Sequence, residues 1–360
     1  MAERHRHRTL VLLAAGLLAG CGTSDERGAG SSPGAGSGPA QAAGTRTGGV
    51  AFVGFDASEP LIHALAQGKI QGLVVQNPVR MAELGVKTIV KSLEKQPVEA
   101  KIPTGETLVT PENYKKPAID QLIHPPQAEN LSGASLSGAK TKKWRVIVIP
   151  KGTTHEFWKA FHAGALKAQE ELGNVEVIWM GPQKEDDRVQ QIQLVQSAVA
   201  AGVDGIVLAP LDSHALVQPV EAAVAKGIPV VILDSGLETT KMVSFIATDN
   251  YHGGVLAAQR LGAVLKGHGK VILLRYAVGS ESTEQREKGF TDTLAKEFPG
   301  ISLLSDTEYA GPTSDSAQQR AQSLVTRYRG QVDGIFCPNE SSTFGMLRAL
   351  EGAGMLTKRP

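Results

Sequence analysis

Short polar clusters recur along the 360-residue chain, each directly behind a run of Val, Ile and Leu. Thr153, Thr154, His155 and Glu156 follow RVIVIP; Asp212 follows GIVLAP; Asp234 closes IPVVILD; Asp249 and Asn250 follow VSFIAT. Asn339 and Glu340 follow GIFCP, Asp56 follows FVGF, and Gln76 and Asn77 close GLVVQN. Carboxylates accept from adjacent hydroxyls, amides both donate and accept, and Arg286 offers a planar donor fork. Phe157 and Trp158, with Tyr276 a weaker third, offer flat apolar faces that exclude water. Such a set suits non-covalent recognition of a small, hydroxyl-rich solute.

Several of these residues also have a plainer role open to them. Phe157 is the first apolar residue of a helix and suits a core. Asp56, Asp212 and Asn250 stand just before helices that need N-caps. Arg286, among Glu284, Glu287 and Lys288, suits a solvated helix face. Trp158, charge-flanked and off the main apolar face, is less readily explained by packing.

Turnover is not expected. The chain has no G-x-S-x-G elbow between a strand and a helix, no H-E-x-x-H pair and no Walker loop, which leaves acid–base work on a glycoside by cleft carboxylates as the residual enzymatic reading. The histidines are scattered and no metal-like cysteine pair occurs, so neither a metal nor a cofactor is expected. Lysine plus arginine (37) nearly cancels aspartate plus glutamate (36), which gives no basic face for nucleic acid.

The elements that must position these residues alternate regularly. From Trp144, strands at 145–150, 175–180, 205–210 and 228–234 are separated by helices at 157–172, 189–202 and 214–227. A second series from 243 repeats the pattern and ends in a helix at 340–355. Nearly continuous apolar strands predict parallel sheets covered on both sides. At the front, a strand at 50–55, a helix at 58–68, a strand at 72–76 and a helix at 78–94 precede an extended edge segment at 102–114. The front strand has no helix before it and the last helix has no strand after it. The two loose ends read as halves of one cut unit.

The first 21 residues carry Arg4, Arg6 and Arg8, an apolar run from Leu10 to Leu18, and LAGC ending at Cys21, the form of an export signal. Segment 22–49 holds nine glycines among serines, alanines and two prolines, a flexible tether. With Cys21 committed elsewhere, only Cys337 remains, so no intramolecular disulfide is expected.

Taken together, IPKGTTHEFWKAFHAGA (149–165), VDGIVLAPLDS (203–213), IPVVILDSG (228–236), TDNYHGG (248–254), REKGF (286–290), PNESSTFGMLRAL (338–350), FVGFDASEP (52–60) and VVQNP (74–78) resemble the type I periplasmic binding proteins, the ribose and related sugar receptors of bacterial ABC importers. LAGC likewise resembles a lipobox, which implies lipidation at Cys21 and an exported, membrane-anchored lipoprotein. The resemblance implies an α/β fold of two lobes, each a doubly wound parallel sheet, with a monosaccharide bound between them and handed to an ABC permease. It implies ligand contacts at His155, Phe157, Trp158, Asp234, Arg286, Asn339, Asp56 and Gln76. Thr154, Asp212 and Asn250 complete the candidate set from their places behind strands. Ser235 stands where ribose binders carry an arginine, which argues against ribose itself.

The motifs are out of family order, the mark of a circular permutation. The expected division is a C-lobe of 50–76, 101–123 and 249–360, an N-lobe of 77–100 and 144–248, and a connector at 124–143. Sixteen residues from 128 to 143 reach at most about 50–55 Å, favouring a monomer over a swapped dimer. A sensory output, presenting sugar to a chemoreceptor or sensor kinase, is the alternative to import. A repressor core is disfavoured by the export signal, because regulators of this fold carry a DNA-reading helix pair at the front.

Overall fold

Strands made of consecutive Val, Ile, Leu and Phe expose apolar side chains on both faces and need cover on both. The computed structural model, which describes residues 49–126 and 143–356, provides it in two six-stranded sheets. Cys21 and its leader, the tether through residue 48, most of the connector and Pro360 lie outside the described residues. The elements run β1 Ala51–Phe55, α1 Glu59–Ala66, β2 Gly72–Gln76, α2 Pro78–Leu93, β3 Lys101–Pro103, β4 Glu106–Val109, α3 Pro117–Ile123 and β5 Trp144–Ile149. There follow α4 Glu156–Leu172, β6 Val175–Trp179, α5 Arg188–Ala200, β7 Gly205–Leu208, α6 Val217–Ala225, β8 Val230–Leu233, β9 Ser244–Ala247 and α7 Asn250–Val264. The chain continues with β10 Gly269–Leu273, α8 Glu281–Glu297, β11 Ile301–Ser305, α9 Ser314–Arg327, β12 Gly334–Phe336 and α10 Glu340–Gly352.

The C-lobe sheet has the order β11-β10-β12-β1-β2-β4 and is parallel except for β4, which runs antiparallel to β2. The front strand is thus central: Ala51 pairs with Gly334 on one side and Val53 with Gly72 on the other. All its side chains are buried, in clusters that cover both faces of the sheet. The loose ends meet, because the Val50 N–H donates to the Met355 carbonyl at 3.0 Å.

The N-lobe sheet has the order β3-β9-β8-β7-β5-β6 and is wholly parallel. Helix α2, from the front segment, packs on α4 so tightly that a methyl group at Gly164 would run into the Val79 carbonyl. Met81, Val86 and Ile89 of α2 share one core with Val146, Phe161 and Val207.

One boundary differs from expectation. Residues 101–103 belong to the N-lobe, not to the C-lobe, because β3 pairs with β9, whose outer side would otherwise be the edge of that sheet. That edge carries backbone groups that need partners, and the Phe245 N–H finds the Ala100 carbonyl at 2.9 Å. The chain then crosses at Thr104–Gly105 and joins the other sheet as β4. Helix α3, which starts at Pro117, has no signature in the sequence pattern, because at seven residues it is too short to show a period.

Described crossings between the lobes run through Gln76–Asn77, Thr104–Gly105 and Thr248–Asp249. They are tied to one another. The Thr248 hydroxyl donates to Gln76 Oε1 at 2.9 Å, and the Thr104 N–H donates to the Ala247 carbonyl at 3.0 Å.

Candidate functional site

The carboxyl ends of the parallel strands from both sheets face one another, where ligands bind in doubly wound folds. Two aspartates arrive there by the same device. Asp56 follows β1 with φ 65° and Asp234 follows β8 with φ 63°, a left-handed kink that Asp tolerates better than most side chains. Each lobe thereby aims one carboxylate from a strand end into the cleft.

Eight of the eleven candidates line one cavity: His155, Phe157, Trp158 and Asp234 from the N-lobe, with Asp56, Gln76, Arg286 and Asn339. The cavity measures ≈ 30 Å³, room for little more than a water molecule. The cleft is closed, and its own side chains fill it.

Three candidates lie elsewhere. Thr154 is exposed and donates to the Gln183 carbonyl at 3.3 Å. Asp212 accepts from the His214 and Ala215 N–H groups and pairs with Arg188, which is the capping alternative. Asn250 accepts from Arg286 Nε at 2.9 Å and donates to the Asp234 carbonyl at 3.2 Å, so it orients Arg286 from behind. Asn339 lines the cavity but also caps α10, accepting from the Ser342 N–H at 3.2 Å.

The cavity holds residues that the sequence reading did not select. Lys151, 3 % exposed, pairs with Asp234 at 2.8 Å and donates to the Ser282 hydroxyl across the cleft at 3.0 Å. Glu185 accepts from His155 Nδ1 at 2.8 Å, from Trp158 Nε1 at 2.5 Å and from the Tyr276 hydroxyl of the other lobe at 2.5 Å. Glu340 reaches over to accept from the Glu156 and Phe157 N–H groups at 3.3 and 3.2 Å. These are the first N–H groups of α4, where the helix dipole favours negative charge. Lys151 was legible as the first residue behind a strand. Glu185, in the polar run QKEDDR, carried no signal that separates it from a solvated turn.

The electrostatics follow from burial and pairing. Burial alone would lower the His155 imidazole, but Glu185, with Glu340 and Asp56, outweighs it and raises the group to about 9. Burial would raise Glu185; the His155 charge, then Lys151 and the Tyr276 hydroxyl, hold it at about 2. Glu340 is pushed up to about 7 by desolvation, only partly offset by His155 and the Phe157 amide. Burial also raises Asp56 against the pull of Arg286 and Gln76.

Arg286 is 2 % exposed. It donates Nη1 to the Pro338 carbonyl at 2.9 Å and stacks 3.9 Å over the Phe55 ring. Among the described residues no carboxylate lies within ion-pair distance of it. The guanidinium therefore keeps donor capacity for a ligand.

Two lobes of parallel sheet with a polar, aromatic-walled cleft between them define the class of the protein. The periplasmic binding protein domain model matches residues 146–360, more than half of the chain, and the chain belongs to that family. It is 29 % identical to the xylitol-binding protein of Mycolicibacterium smegmatis over 181 residues, 50 % of this chain and 51 % of that protein. The chain thus spans about half the length of that relative. It is 28 % identical to the D-ribose/D-allose-binding protein of Pseudomonas aeruginosa over 220 residues, covering 59 % of this chain and 68 % of that one. Among solved structures, a carbohydrate transporter solute-binding protein from Agrobacterium radiobacter in complex with D-arabinose matches with TM-score 0.56 and 33 % identity, covering 59 % of this chain and 72 % of that chain.

Proposed function

We propose that the protein binds a monosaccharide or the corresponding alditol in the cleft and delivers it to an ABC-type permease as an exported, lipid-anchored monomer. One observation carries the reading: carboxylates, a buried guanidinium and aromatic rings from both lobes converge on a single cavity. Asp56, Asp234 and Gln76 supply acceptors and a donor for hydroxyls, Arg286 supplies donors, and Phe157 and Trp158 supply the apolar face. Because the closed cavity has no room for a sugar ring, binding requires the lobes to open about the three crossings. The ligand then favours closure by contacting both lobes.

Thermal-shift screening of the purified protein against pentoses, hexoses and alditols tests this. A sugar at a hundredfold over its Kd adds about 2.7 kcal/mol of apparent stability. A panel in which no member raises the melting temperature would refute the reading.

We further infer that the element order is a circular permutation of the family's. The family match starts near β5 and runs to the end of the chain, while residues 49–126 complete both sheets. The hydrogen bond between Val50 and Met355 puts the two ends within joining distance. A rearranged chain, in which residues 143–356 run directly into 49–126, is expected to fold with an unchanged far-ultraviolet spectrum and to bind the same sugar within about threefold. Loss of the cooperative melt would reject the permutation, because a cut in a surface turn leaves the packed core untouched.

A further inference from the structure

Beside the closed cleft lies a second, larger cavity of ≈ 250 Å³ that shares Asp56, Gln76 and Phe157 with it as a common wall. Its other walls come from Ala57 behind β1, Leu122 and His124 at the end of α3, and Ala160 on α4. We propose that it is a second sugar subsite, so that the ligand class extends to disaccharides and glycosides whose second ring or aglycone occupies it. The inference rests on the binding reading above and deepens it.

Three observations carry it. The lining mixes the Phe157 ring and aliphatic Leu122 and Ala160 with the carboxylates of Asp56, Glu59 and Glu156. That mixture matches a sugar, which has apolar C–H faces and a rim of hydroxyls. Next, the wall between the cavities is a side-chain pair, Gln76 Nε2 donating to Asp56 Oδ1 at 2.7 Å, with Phe157 opposite on the other lobe. Opening the cleft parts Phe157 from Asp56 and joins the two spaces.

The cavity also exists while the lobes are closed, with Glu340 seated on the first turn of α4. A substituent in it therefore does not oppose closure, whereas Lys151, Glu185 and Tyr276 wall the closed cleft itself. At the rim, His124 stands 3.7 Å from Glu59, a pair exposed enough to part as a ligand enters.

The test is calorimetric titration with monosaccharides, among them D-arabinose, D-allose and D-ribose, alongside their methyl and phenyl glycosides and a set of disaccharides. At least one glycoside or disaccharide is expected to bind tenfold or more tightly than its parent monosaccharide. Ala57→Trp, which fills the second cavity from a loop, should abolish that gain and leave the parent's Kd within twofold. His124→Trp, at the exposed rim, gives the same readout if Ala57→Trp does not fold. Weaker binding of the extended member of every pair would overturn the inference while leaving the monosaccharide reading intact. So would a filling variant that weakens parent and glycoside alike, since the cavity would then be part of a single site. Binding of no sugar at all would instead remove the reading on which it rests.

Discussion

Lys151→Met is expected to weaken sugar binding at least a hundredfold while shifting the melting temperature of the ligand-free protein far less. Lys151 and Asp234 pair at 2.8 Å, with side chains only 4 % and 5 % exposed in the closed cleft. Removing one partner of a buried pair leaves the other as an uncompensated charge, a penalty of about 3–5 kcal/mol. In a hinged receptor that penalty falls on closure, because opening returns Asp234 to water. A hundredfold change in Kd corresponds to about 2.7 kcal/mol, just below that range, as partial rehydration of Asp234 would leave it. Lys151 also donates across the cleft to Ser282, so the variant loses a contact made only when the lobes meet. Calorimetric titration with the sugar found by screening gives the affinity. A Kd unchanged by the substitution would place Lys151 outside the binding surface.

Binding is also expected to weaken as pH rises from about 4.5 to 7, and to be at least tenfold weaker at pH 8.5 than at pH 5. Closure moves Glu340 from the ordinary 4.5 to about 7. Its closed form therefore holds a proton that the open form has lost, and closing becomes costlier as pH rises toward 7. His155 moves from 6.5 to about 9, chiefly through Glu185 of its own lobe, so its contribution, complete below 6.5 and lost as pH rises through 9, falls on stability more than on closure. Glu185 moves the other way, from 4.5 to about 2; its contribution is present above 4.5 and fades as pH falls through 2. Glu340→Gln should flatten the part of the profile between pH 5 and 7. Glu287 is also raised to about 7, but it holds the Tyr276 N–H within the C-lobe. It shifts global stability rather than closure, so affinity is the measurement that separates the two. An affinity that stays level from pH 5.5 to 8.5 would contradict the assignment of Glu340 to the closed interface.

The site was only partly legible in the sequence. Asp56, Asp234 and Gln76 stood at the ends of apolar runs, where strand geometry alone aims a side chain out of the sheet. Asp212 and Asn250 stood in the same kind of place, yet one caps its own loop and the other holds Arg286. Residue type and distance from a strand cannot separate a ligand carboxylate from a capping one, because both are acceptors at the same turn. Glu185 was out of reach for the opposite reason. A carboxylate among Lys184, Asp186, Asp187 and Arg188 reads as solvated until a second lobe brings Tyr276 against it.

Local signals determined the elements themselves. The Val- and Ile-rich strands, the Gly and Pro punctuation and the helix periods are properties of neighbouring residues, so their order and the unpartnered strand at the front could be read from the chain. Only the tertiary structure decided which edge would take β3, that the strand at 51–55 sits between β12 and β2, and which charges face one another across the cleft. Those outcomes depend on backbone groups and side chains that lie far apart in sequence and meet only when the sheets have formed. Pairing energies between such groups leave no trace in the residues on either side of them.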